Sequence, residues 1–395
     1  MRVILLALSL AAGAVADVPA KGGPPPDEAS LLLAWETAQR QSPGTEVLER
    51  TGDRRYRFKT SRFPFDGELV VLNLLIEPLP LDEEPGYTGT VEVELVGLPD
   101  EVRSRYGQSF ARWQAGHTLF YDPGRGGWLT AEAWREGRMD QLRAHLAGLG
   151  FSLEVDTSGT APAHMTELLQ VAHRMGATSL RTYTRHGGLP DQMMAATIQD
   201  LQAVAPVAAD LGIVVVLENH EDFTGPELAR IVETVDHPAL KILYDYGNSQ
   251  MVLEDPEAAL AAVAAHVHSV HFKDHVMVRP EVAGRLTVAG VPIGEGFLPL
   301  DRITRRLLDQ GLRRITFENV WAYSAGIKPG REPQPGVTLG EGSFAYLDPP
   351  HDPARIVLDQ SKLTPERLVG LEHQALVRGV AAFRAVLERQ GCTLR

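Results

Sequence analysis

From Phe151 onward the chain repeats one pattern: a short apolar run, a turn, a segment with helix-period hydrophobicity, then the next run. The runs are FSLEVD (151–156), SLRTYT (179–184), GIVVVLEN (212–219), KILYDYGN (241–248), VHSVHFKD (267–274) and RRITFEN (313–319). Between them lie helical segments such as MTELLQVAHRMG, TIQDLQAVAPVAADLG and GPELARIVETV, several ending in the Gly that commonly closes a helix. Short apolar runs alternating with helices call for repeated βα units and a parallel sheet. The first five runs start 28, 33, 29 and 26 residues apart. A (β/α)8 barrel of about 250 residues uses roughly 31 per unit, so the expected fold is α/β, a (β/α)8 TIM barrel.

Six units are visible, and a closed barrel needs two more strands from upstream. The candidates are TVEVELVGL (Thr90–Leu98) and HTLFYD (His117–Asp122), with PDEVRSRYGQSFARWQAG as the helix between them. On that assignment the barrel spans 88–395, after a linker and β-rich N-terminal extension over 17–87. The competing reading gives both strands to an all-β N-terminal domain.

Residues 1–16 read as a secretory signal peptide: Arg2, an apolar stretch from Val3 to about Ala12, then Ala14-Val15-Ala16 as the cleavage site before Asp17. The protein is therefore expected to be exported, periplasmic or extracellular, with no stable membrane insertion after cleavage. With Cys392 the one cysteine of 395 residues, no intramolecular disulfide can form. A formal net charge of −13 repels phosphate backbones, which argues against nucleic acid and leaves a small molecule as the expected partner. A homo-oligomer is compatible with the composition.

In an α/β barrel the chemistry collects at the C-terminal ends of the strands. At that end the last four runs carry Glu218 (VLENH), Asp245 (LYDYGN), His271 (VHFKDH) and Glu318 (TFENV), separated by 27, 26 and 47 residues. The third interval is one unit enlarged by the loop HVMVRPEVAGRLTVAGVPIGEG. Any one of these residues alone reads as a capping acid or a satisfied histidine. Four in register read differently, because three converging carboxylates without a partner repel, whereas one divalent cation with one imidazole satisfies all four. Three oxygens and one nitrogen suit Mn2+ first, with Mg2+, Co2+ or Zn2+ as alternatives.

On the pieces VVVLENH, ILYDYGN, VHSVHFKDH and GEGFLPLDRITRRLLDQGLRRITFEN, the chain from about Gly150 to Asn319 resembles the xylose isomerase-like TIM-barrel superfamily of sugar phosphate isomerases and epimerases. The resemblance implies that Glu218, Asp245, His271 and Glu318 bind one divalent metal. It also implies that Glu218 and Glu318 exchange the proton in a sugar isomerisation or epimerisation through a metal-stabilised enediolate. The secretory leader points to a free sugar, a glycoside or an oxidised derivative as the carbohydrate substrate. The alternatives are a metal-dependent lyase or deglycosidase acting on a keto-sugar or glycoside, and a non-catalytic extracellular carbohydrate-binding barrel. An endonuclease on the same barrel fits least, for want of extra histidines and a cationic face.

Four further residues are candidates for substrate binding. His220 shares a face with Glu218 if the strand persists, and either orients a substrate hydroxyl or bonds the following loop. Lys273 stands in the same relation to His271, as an oxyanion partner or a solvated loop lysine. Arg181 is a substrate contact if its face points inward and a helix partner if outward. Trp321, like Tyr323, either stacks on a sugar face or packs against the barrel rim. Asn219, Asn248 and Asn319 follow strand ends, where they either orient ligands or serve the turn.

Overall fold

The computed structural model describes residues 26–41, 45–60, 66–79, 86–97, 99–101, 117–122, 126–280, 286–312, 314–327 and 331–392. The expected signal peptide (1–16), most of the linker that follows it and nearly all of the expected helix at 99–116 lie outside the described residues. No helix among them is long and apolar enough to cross a membrane. The chain divides into two compact units meeting in sequence at Leu142 and Arg143.

The first unit starts with helix α1 (Glu28–Gln41), followed by strands β1 (Thr45–Gly52), β2 (Arg55–Thr60), β3 (Asp66–Pro78), β4 (Tyr87–Val96), β5 (His117–Asp122) and β6 (Gly127–Thr130). The six strands pair antiparallel in chain order. β4 alternates buried and half-buried positions, so one face of the sheet is covered. Leu31 and Trp35 of α1 are fully buried there, clustered with Tyr56, Val91, Val93 and Leu119. Gly89 makes this fit: a Cβ on it would stand 2.3 Å from Leu31 Cδ1.

This unit corrects the expected barrel boundary at residue 88. Thr90–Leu98 and His117–Asp122 are not the first barrel strands, because β4 and β5 hydrogen-bond to each other antiparallel inside the meander, from Tyr87–Tyr121 to Val91–His117. The β-rich extension therefore continues to Thr130.

The second unit follows helix α2 (Ala131–Gly148) and runs β7 (Glu154–Asp156), α3 (Pro162–Met175), β8 (Ser179–Thr182), α4 (Pro190–Asp210), β9 (Val214–Glu218), α5 (Gly225–Val235), β10 (Leu240–Asp245), α6 (Pro256–Val263) and β11 (Val267–Phe272). Then come β12 (Asp274–Val278), β13 (Thr287–Val291), α7 (Leu300–Asp309), β14 (Thr316–Phe317), β15 (Ser324–Gly326), β16 (Tyr346–Leu347) and α8 (Pro365–Arg389). Strands β7, β8, β9, β10, β11 and β14 form a parallel sheet in chain order, the six expected βα units. Among the described residues the wall has these six strands.

Strand alternation sorts the side chains. Val215, Leu217, Ile242, Tyr244, Val270, Phe272 and Phe317 point outward into one apolar core with the helices, where Phe383 of α8 meets Phe272 and Phe317 edge-on. Fully burying side chains of this size contributes roughly 1.5–3 kcal/mol each. The residues between them line the inner face: Glu154, Asp156, Arg181, Val216, Glu218, Asp245, Ser269, His271 and Lys273.

The enlarged loop after His271 is itself structured. β12 and β13 form an antiparallel hairpin, extended to a four-stranded sheet by β15 and β16. Asp274 anchors the return of this hairpin: its buried carboxylate accepts the N–H groups of Gly294, Gly296 and His275 at 2.9–3.0 Å. Gly296 is required there, because a Cβ would lie 2.1 Å from Asp274 Oδ1.

Candidate metal centre

Glu218, Asp245 and His271 end neighbouring strands β9, β10 and β11, and the wall brings them to one level. One ligand atom from each lies within 4.8 Å of those of the other two. Glu318, the residue after β14, joins them: its Oε2 is 3.5 Å from His271 Nδ1, which is also 3.9 Å from Glu218 Oε1. Glu218, Asp245 and His271 are buried, while the Glu318 side chain keeps 37% of its exposure and marks the open side.

Each carboxylate is aimed by its neighbours. Asp245 Oδ1 accepts the backbone N–H of Gly247 and Asn248 at 2.9 and 3.0 Å. Glu218 Oε1 accepts from Asn248 Nδ2 at 2.9 Å, and Arg181 pairs with its other oxygen. Asn219 closes the level below by bonding the backbone of Asp245 through both ends of its amide. Asn219 and Asn248 therefore orient the ligand-type residues.

Burial raises the Glu218 carboxyl above its ordinary range and pushes Asp245 up to about 7, against the pull of Arg181 on the first and Lys273 on the second. Burial opposes charge on His271, yet contact with Glu318 and the charge of Glu218 carry it up to about 9. Lys273, equally buried, is held well above its usual value by Asp245 and Glu318. Glu318 goes the other way: although burial would raise it, Lys273 and His271 hold it well below the usual carboxylate range.

Four buried atoms, Glu218 Oε2, Asp245 Oδ2, Glu318 Oε2 and His271 Nδ1, face one another and the cations Arg181 and Lys273, with no partner among the described neutral or backbone groups. Three carboxylates buried this close together are costly unless cations balance them. These are the donor atoms of the expected set, so the residues present fit a divalent ion.

Of the other candidates, Arg181 points inward and Lys273 lies within the cluster, 2.9 Å from Asp245 and 3.3 Å from Glu318. His220 stacks its ring on Tyr183 at 3.8 Å, and the guanidinium groups of Arg181 and Arg185 lie over the same tyrosine. Trp321 requires a correction. It is buried in an apolar cluster with Val357, Leu371 and Ala375, and its indole N–H bonds Pro353 O at 3.1 Å. Tyr323 instead reaches the mouth, where its hydroxyl bonds Glu221.

Two acids went unassigned in the sequence. Glu154 and Asp156 of β7 face the interior, each with a ligand atom within 4.8 Å of the other's and of one on His271. Their i, i+2 spacing in FSLEVD is the signal that places both on one face.

Residues 130–336 match the family model described as xylose isomerase-like TIM barrel. The chain belongs to that family. Among curated proteins it is 28% identical over 188 residues to the uncharacterized protein YihM of Escherichia coli strain K12, covering 46% of this chain and 57% of that protein. It is 29% identical over 179 residues to 3-oxo-isoapionate decarboxylase of Pectobacterium atrosepticum, covering 45% of this chain and 64% of that one. The chain thus spans 57–64% of the length of these two relatives. Similar solved structures include a xylose isomerase domain protein from Planctomyces limnophilus, with 22% identity, TM-score 0.40 and coverage of 46% and 76%. Another is D-psicose 3-epimerase from Clostridium cellulolyticum H10, with 17% identity, TM-score 0.43 and coverage of 64% and 84%. In the xylose isomerase-like TIM barrel of this chain, the family match spans all four ligand-type residues.

Proposed function

We propose that the protein is a divalent-metal-dependent sugar isomerase or epimerase, with Glu218, Asp245, His271 and Glu318 as ligands. The observation that supports this reading is the convergence of buried carboxylate oxygens and one imidazole nitrogen, those of Glu218, Asp245 and His271 within 4.8 Å of one another and Glu318 Oε2 3.5 Å from His271 Nδ1. A divalent ion held there supplies Lewis-acid stabilisation for negative charge developing on a substrate carbonyl oxygen, Mn2+ suiting the donor set first. The chain's own groups move the proton. Glu218 and Glu318 reach His271 Nδ1 from strands on either side of it, so one carboxylate can take the proton from the carbon next to the carbonyl while the other returns it. Arg181 and Asn248 would fix Glu218 for that role, and His220, stacked on Tyr183, would meet substrate hydroxyls.

A second reading, a metal-dependent lyase on a keto-sugar, is favoured by the relative named as a decarboxylase. Loss of CO2 from a 3-oxo acid breaks a carbon–carbon bond and leaves the electron pair on the carbonyl oxygen. That is the same charge the ion and Lys273 would stabilise, and a proton from a carboxyl group then completes the product.

Metal analysis of the purified protein, followed by NMR of candidate sugars and 3-oxo sugar acids in D2O, tests both. Deuterium entering a carbon next to the carbonyl, with an isomeric product, supports the first reading; consumption of a 3-oxo sugar acid with release of CO2 and no isomer supports the second. A protein that binds no metal and exchanges no sugar proton would refute both. Export is proposed from the leader alone and is checked by N-terminal sequencing, the mature chain being expected to start at Asp17.

A further inference from the structure

Lys273 stands inside the ring of ligand-type residues. Its side chain is buried, and its Nζ lies 2.9 Å from Asp245 Oδ2 and 3.3 Å from Glu318 Oε2. Asp245 is not free to offer its other oxygen equally. Asp245 Oδ1 already accepts two backbone N–H groups, which leaves Oδ2 for a cation. Glu318 turns the same Oε2 toward both Lys273 and His271. The oxygen through which Asp245 would coordinate an ion, and the Glu318 oxygen turned into the cluster, are therefore the atoms that hold the ammonium. Arg181 stands in the same relation to Glu218, whose other oxygen accepts from the Asn248 amide, but it pairs with that one carboxylate of the set where Lys273 pairs with two.

We propose that Lys273 is the internal counter-cation of this site and competes with the divalent ion for Asp245 Oδ2 and Glu318 Oε2. The inference rests on the metal reading above. A monovalent and a divalent cation on one buried carboxylate oxygen repel strongly at low effective dielectric, so loading the ion displaces the ammonium from at least one partner. The flexible four-carbon stem lets Nζ move while the strand stays fixed. Glu318, the exposed member of the set, marks the side to which it moves. Ion loading thereby delivers a cation to the substrate side, and the metal-free cluster keeps its carboxylates balanced.

Calorimetric titration of the full chain with MnCl2 tests this on the wild type, Lys273→Met and Lys273→Arg. Removing the competitor should tighten Mn2+ binding by about ten-fold or more, while the arginine variant stays near wild type. Equal or weaker binding by Lys273→Met overturns the inference, since it means that ammonium and ion share the oxygens. If Lys273→Met does not fold without metal, its refolding yield is measured against Mn2+ concentration. Recovery driven by Mn2+ supports the competition, and refolding indifferent to Mn2+ overturns it. A wild type that binds none of Mn2+, Mg2+, Co2+ or Zn2+ fails the metal reading itself, a result separate from either outcome for the variants.

Discussion

His275 offers a test of the structure that does not pass through metal or substrate. It is fully buried at the start of β12, its ring set against Gly247, whose Cβ position lies 2.5 Å from His275 Nδ1. Neither ring nitrogen has a side-chain hydrogen-bond partner among the described residues. Burial first, then the nearby Lys273 ammonium, depress its pKa from 6.5 to about 3, only partly offset by Glu318 and the Gly247 backbone. The imidazole is therefore neutral in the folded protein, and its contribution to stability is fully present above pH 6.5. As pH falls below 6.5 the unfolded chain takes up a proton that the folded chain refuses, and stability is lost until about pH 3. At 1.36 kcal/mol per pH step, that loss is about 2 kcal/mol at pH 5 and about 3 kcal/mol at pH 4. His275→Leu removes the titration and gives up at most its contact with the Gly247 backbone, so at pH 7 it should lie within about 1 kcal/mol of wild type. Urea unfolding of the second unit, followed at pH 7, 6, 5 and 4 with EDTA present, should show the variant overtaking the wild type. Other titrating groups cancel in the difference between the two proteins. A difference that stays flat from pH 7 to pH 4 would falsify the placement of a neutral, buried imidazole at residue 275.

Three further outcomes follow from the packing. Asn248→Ala releases Glu218 Oε1 and should weaken Mn2+ binding by about 10–100-fold, the usual cost of losing a group that orients a ligand; unchanged affinity in a calorimetric titration would show that Asn248 does not orient Glu218. Trp321→Ala empties an apolar site and should cost about 3–5 kcal/mol in a denaturant titration, with the folded fraction still binding Mn2+ as wild type does. Gly290→Ala would place a methyl 1.9 Å from the carbonyl oxygen of Val320; backbone cannot yield as a side chain does, so thermal unfolding should show a loss at or above the ~3 kcal/mol end of overpacking costs.

The parallel wall was legible because strands covered on both faces carry apolar runs without polar interruption, and VVVL and KILY have no other use. The site was legible for a related reason. Alternation along a strand is rigid, so Glu218, Asp245 and His271 must share the inner face once Leu217, Tyr244 and Phe272 are committed to the outer core. The number of strands was not legible from spacing, which measures the length of a unit and not how many there are. Yet TVEVELV held the contrary signal: valines alternating with glutamates describe a strand with one wet face, as in an antiparallel meander, and not one buried on both.

Where the regular strand stops, alternation no longer applies. Trp321 and Tyr323 both follow Glu318 on a loop, and the sequence offers either ring to a sugar face or to the barrel rim. The chain does not continue extended. Ala322 adopts φ +68, a left-handed conformation rare outside glycine, and it is held there by packing around its buried methyl and by Gln360 Nε2 donating to its carbonyl. That one reversed residue separates the two aromatic rings. Trp321 turns under the loop toward α8, while Tyr323 turns over the mouth to Glu221, itself three residues beyond Glu218. The reversed backbone at Ala322 thus sets Tyr323 to bridge the loops that follow Glu218 and Glu318.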